Sequence, residues 1–137
     1  MRFFKTFLAA TVIMIVLDVL WLGSVVNSFY LQQLDGLARI EEGKFVLTYW
    51  SAGMAYVVMA LALTLFALPR VTEQDPWYTA AAWSGLLGFC LYGIYDFTNY
   101  ATLLRWPLPF MAADLLWGTA QFAITAGILQ VSRKILA

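Results

Sequence analysis

The sequence predicts an all-α integral membrane protein, a bundle of four transmembrane helices with both termini on the cytoplasmic side. Three observations carry this. The chain is 63% apolar with a mean hydropathy of +0.78. Charged residues make up 12% of it, against about 25% in soluble domains. Four mostly apolar stretches, at residues 7–26, 46–68, 77–101 and 109–131, each reach the roughly 20 residues needed to cross a hydrocarbon core. These spans and their connections leave no room for a soluble unit, so residues 1–137 are expected to form a single transmembrane domain.

The first span follows the basic start Met1-Arg2-Phe3-Phe4-Lys5. Its length and the lack of a small-x-small cleavage site nearby identify it as a retained helix rather than a signal peptide. The long connection 27–45 mixes Phe29, Tyr30, Leu31, Leu34, Leu37 and Ile40 with Gln32, Gln33, Asp35 and Arg39. That mixture predicts an outward continuation of the first helix or a short interfacial helix, with Gly36 and Gly43 as breaks; an interfacial connector is the simpler reading, a lid over a site the sharper one. Pro69 closes the second span, and Pro76 opens the third after the polar turn 70–75. Pro107 and Pro109 flank the start of the fourth, where a first-turn proline is tolerated.

Charge excludes several functions. The net charge is zero, with no basic run and no His, so nucleic-acid binding has no electrostatic footprint. Zinc or redox-metal chemistry has few ligands to draw on. Cys90 is the sole cysteine, which rules out an intrachain disulfide. No cofactor is expected. Arg2, Lys5, Arg70, Arg133 and Lys134 flank one side and Arg39, Lys44 and Arg105 the other. That excess places the termini in the cytoplasm by the positive-inside rule, with a bacterial inner membrane as the location.

Against this background three aspartates stand out, because Asp18, Asp96 and Asp114 all lie inside predicted spans. A charge at the helix centre costs about 2.5–3.5 kcal/mol on insertion scales and marks a functional site by default. At 1.5 Å per residue, Asp18 lies about 2 Å, and Asp96 and Asp114 about 8–9 Å, to the outer side of their helix midpoints. Helical spacing places Tyr92, Asp96 and Asn99 on one stripe, with Tyr95 adjacent and Gly85 and Gly88 behind. Asp114, Trp117, Gln121 and Thr125 form a second stripe, Thr11, Asp18 and Trp21 a third, and Tyr49, Gly53 and Tyr56 a fourth. Turned inward, these stripes would enclose an acidic, aromatic pocket in the outer half of the bilayer. Trp50 and Trp106 are expected in the interfacial belt, and Arg105 at the boundary. Structural roles compete at each aspartate: a helix-start position for Asp114, or bonds to neighbouring Tyr and Asn for Asp96. Three carboxylates together repel, so the cluster is expected to carry at least one proton. Residues 18–21 (DVLW) also echo 114–117 (DLLW), a faint sign of an internal repeat, at whose interface membrane sites often lie.

The segments 17–23 (LDVLWLG) and 92–118 (YGIYDFTNYATLLRWPLPFMAADLLWG) resemble a family of small four-helix bacterial membrane proteins known as a domain of unknown function. The resemblance implies the architecture and location and brings no activity.

Two readings of function follow. In the first, the pocket takes a lipid or isoprenoid-like molecule and performs acid–base chemistry, with Asp96 as acid and Asp18 and Asp114 as base or electrostatic partners. Trp21, Tyr56, Tyr92, Tyr95, Asn99, Trp117 and Gln121 would then contact the substrate, aromatic faces steadying a cation. In the second, the aspartates serve a proton- or cation-coupled transporter, assembled as a homodimer. A non-catalytic accessory subunit is the third possibility. A dry inner half, rich in Leu61, Leu63, Leu65, Phe66, Ile13 and Ile15, favours the one-sided pocket.

Overall fold

A computed structural model describes residues 2–136, with side chains over 3–133; Met1 and the side chains of Arg2 and Lys134, used above for orientation, lie outside the described residues. Helix α1 (Arg2–Leu20) runs into a π-helical turn, Trp21–Val25, closed by the Val26 amide donating to the Trp21 carbonyl. Helix α2 (Asn27–Gln33) follows, so the long connection does hold a short helix. Gly36, at φ +73°, then reverses the chain into a two-residue hairpin, β1 (Ile40–Glu41) and β2 (Lys44–Phe45), paired Ile40 to Phe45 and Glu41 to Lys44. Its turn places Glu42 and Gly43 both at positive φ, the conformation that tight hairpin turns require.

Helix α3 (Tyr49–Ala62) continues through a π turn and ends in a 3₁₀ turn, Leu68–Arg70, around Pro69. Helices α4 (Trp77–Thr102) and α5 (Leu108–Leu136) begin directly after Pro76 and Pro107. All four prolines thus sit where the missing amide costs nothing.

Three helical segments are long and apolar enough to cross a membrane: Phe3–Val25, Tyr49–Arg70 and Leu108–Arg133. The 26-residue α4 has the length but is more polar. Its small residues Gly85, Gly88 and Gly93 face α5, and Ser84 and Asp96 are buried as well. The outward surface is apolar, with Phe4, Val12, Val19, Val58, Phe66, Ile94 and Leu116 all more than half exposed. In water such a surface would be a liability; against lipid tails it is the expected exterior.

The α4–α5 contact is the closest in the fold. A Cβ on Gly88 would lie 2.5 Å from the Gly118 carbonyl oxygen and 2.9 Å from Phe122 Cβ, and a Cβ on Gly118 would overlap the Tyr92 ring. Close approach through small residues is how membrane helices gain van der Waals contact. The apolar core lies toward the end of the helices remote from the hairpin, where Ala10, Met14, Leu63, Ala67, Ala80, Phe122, Ala126 and Leu129 pack together.

Gly118→Ala should therefore destabilise the fold by about 1–3 kcal/mol, the usual cost of overpacking. Gly53→Ala, whose added Cβ meets nothing within 4 Å, should be near neutral. Thermal unfolding in detergent checks the pair.

Candidate functional site

Each of the three helix-borne aspartates is held by aromatic donors. Asp18, on α1, accepts from Tyr56 Oη of α3 at 2.8 Å and from Trp117 Nε1 of α5 at 2.7 Å, one bond to each oxygen. Asp114, on α5, accepts from Tyr30 Oη of α2 at 3.3 Å. Asp96, on α4, accepts from Trp106 Nε1 at 3.0 Å. Hydrogen bonds to carboxylates are the stronger class, and here they join different elements of the chain.

The two echoing tetrapeptides meet. The Trp21 and Trp117 rings stack at 4.4 Å between centroids and 3° between planes. Trp117 donates directly to Asp18, while Trp21 donates to Tyr30 Oη at 3.4 Å, and Tyr30 in turn donates to Asp114. Beneath them, Gln121 joins three helices: its Oε1 accepts from Tyr92 Oη and its Nε2 donates to the Met14 carbonyl, each at 3.1 Å. Gln121 is fully buried, so it forms a floor and has no surface to offer a ligand.

Among the described residues no three acidic, Cys or His side chains come together to hold a metal ion. Of the three aspartates, Asp18 lines a cavity of about 540 Å³ between α1, α2, the hairpin and α3. Its walls are Val19, Leu22, Leu34, Phe45, Leu47 and Phe110, with Tyr30, Tyr56, Asn27 and Lys44 as the other polar contributors. Asp114 stands behind Tyr30. Asp96 is fully buried behind Trp106, and its Oδ2 has no partner among the described residues, a state that costs about 1–3 kcal/mol.

These positions revise several expectations. Asp18 lines the cavity, whereas Asp96 is fully buried. Tyr49 is 82% exposed and Gly53 is exposed as well, so that stripe contributes Tyr56 alone. Trp50 lies on the exterior, as a belt residue should, whereas Trp106 turns inward to Asp96. Tyr95 is half-exposed, shares a side-chain hydrogen bond with Asn99 and meets Trp106 edge-on at 5.6 Å; neither Tyr95 nor Asn99 lines the cavity. Tyr92 lies below it, against Gly118 and Gln121. Arg105 donates to the Asp35 carbonyl and so fastens the connection 27–45 to the rest of the fold.

The site residue that helical periodicity misses is Tyr30. It is 4% exposed and meets Phe110 edge-on at 4.8 Å. Burial holds its hydroxyl well above the ordinary tyrosine range; Trp21 opposes that effect and Asp114 adds to it. Tyr30 therefore remains a proton-bearing donor at any physiological pH. Its signal in the sequence is weak, one aromatic among several in a mixed segment.

Trp117→Phe keeps the ring stack and removes the 2.7 Å bond to Asp18, so it should cost about 1.5–3 kcal/mol of stability, as for hydrogen bonds to charged groups. Tyr30→Phe removes only longer bonds and should cost less, about 0.5–1.5 kcal/mol. Thermal midpoints of the two variants in one detergent give the order.

No curated protein and no solved structure matches the chain. A family model does, over residues 3–130, a range containing all three aspartates and each of their aromatic donors. The chain belongs to the DUF2177 family of predicted membrane proteins.

Proposed function

We propose that this chain is a four-span protein of the bacterial inner membrane that binds a lipid or isoprenoid-like molecule and acts on it through Asp18. In this reading α4 is the fourth crossing, its polar stripe covered by α5, and both termini are cytoplasmic. The single observation that carries the proposal is the placement of one carboxylate in the wall of a largely apolar cavity of about 540 Å³. Ligand pockets have this size and character, apolar walls with a few placed polar groups.

Tyr56 and Trp117 occupy one oxygen each of Asp18 and fix its orientation. A carboxylate so held can accept a proton from a ligand, or face a positive charge that develops on it. Tyr30 and Tyr56, which border the same space, can donate to a ligand oxygen. Asp96 and Asp114 then serve as structural acceptors that hold the site's second wall. Transport is the weaker reading, because the packing below Gln121 is mostly apolar: Thr64 and Thr125 turn their hydroxyls back to helix carbonyls, Gln130 donates to the Thr72 and Asp75 carbonyls, and Ser84 is the remaining buried polar residue there.

Mass spectrometry of total lipids from cells expressing wild type, Asp18→Asn or empty vector tests this. A species whose level depends on wild type should be lost in Asp18→Asn, with acid–base contributions of roughly 10²–10⁴-fold at stake. Profiles identical in all three, or a variant as effective as wild type at equal membrane abundance, would refute it.

A further inference from the structure

The polar groups around the cavity are not equivalent. Two cations of this side are already engaged: Arg39 donates to Thr48 Oγ1 at 2.5 Å, and Arg105 to the Asp35 carbonyl. Lys44, on β2, lines the cavity and is exposed, yet it forms no hydrogen bond or ion pair among the described residues. Glu41 is its register partner across the hairpin, and Glu42 occupies the turn; neither pairs with it. Asp18, in the same cavity, is satisfied by Tyr56 and Trp117 instead.

Lys44 and a hydrogen-bonded carboxylate thus border one largely apolar space with no ion pair between them, and the walls beside them include the exposed Val19 and Leu47. A molecule complementary to that arrangement carries a negative charge at one end and a hydrocarbon chain at the other. On the reading of the cavity given above, we propose that its ligand is an amphiphile with an anionic oxygen headgroup, phosphate or carboxylate, seated on Lys44. The chain runs past Asp18 and leaves between α1 and the segment entering α3. Lysine suits this role, since its stem lies along apolar surface while the charged end reaches the polar boundary. The headgroup fixes which part of the chain faces Asp18.

The test uses the full-length protein in nanodiscs of zwitterionic lipid, with empty discs as the partition control. Labelled hexadecyl phosphate and hexadecanol are compared, with inorganic phosphate as competitor. Wild type should hold the phosphate more tightly, by roughly two- to fivefold for one exposed charge pair, and added salt should erode that preference. Lys44→Gln should abolish the preference and leave hexadecanol binding unchanged, while Lys44→Arg retains it. Inorganic phosphate alone should compete poorly.

A preference that survives Lys44→Gln, or equal binding of both probes to wild type, overturns the anionic headgroup while leaving the cavity reading intact. Competition by inorganic phosphate as strong as that of the long-chain probe overturns the amphiphile. Binding of neither probe to wild type overturns both this inference and the cavity reading beneath it.

Discussion

A carboxylate carried on an apolar helix and packed inside a bundle must find hydrogen-bond donors, because an unpaired buried polar group is costly. That constraint organises this molecule. Asp18 ties α1 to α3 and α5 through Tyr56 and Trp117, Asp114 ties α5 to α2 through Tyr30, and Asp96 ties α4 to the turn before α5 through Trp106. Every donor is aromatic, so each bond also brings a large apolar ring into the bundle. Tyr30 is the telling case: its hydroxyl between Trp21 and Asp114, together with its ring against Phe110, docks a short helix that would have little reason of its own to pack there.

The second constraint is the glycine contact between α4 and α5. With Gly88 against Gly118 and the Tyr92 ring laid over Gly118, these two helices form a tight pair. Tyr92 then meets Gln121, which reaches across to the Met14 carbonyl and fixes α1 against the pair. Below this floor the core is mostly apolar, with Thr64, Ser84, Thr125 and Gln130 as its buried polar residues; above it lie the aspartates. The placement of the cavity beside Asp18, above that floor, follows from the same division.

The helices were legible because apolar length and proline position are local properties: Pro69, Pro76, Pro107 and Pro109 mark the boundaries directly. Gly36 and Gly43 were legible for the same reason, and both occupy positive φ. Helical spacing correctly placed Tyr92 and Gln121 inward. It could not say which aspartate would be open, because that depends on Trp106 covering Asp96 and Tyr30 covering Asp114. Both covering residues come from connections, where no period constrains direction. Tyr49 and Gly53 shared the spacing of Tyr56 yet face outward, since α3 begins at Tyr49, at the edge of the bundle. The small and polar residues that make α4 a close partner for α5 also keep it out of the set of helices apolar enough to cross a membrane by composition alone.

The central claim is that Asp18 alone of the three aspartates faces a space that a small molecule can enter. Single-cysteine variants Asp18→Cys, Asp96→Cys and Asp114→Cys, built on Cys90→Ser, place a reactive thiol at each position. Labelling with a small membrane-permeant thiol reagent, measured on folded, monodisperse protein, compares them directly. Fast modification at position 18, with protection at 96 and 114, is the predicted result. Modification at 96 or 114 as fast as at 18 would contradict the account.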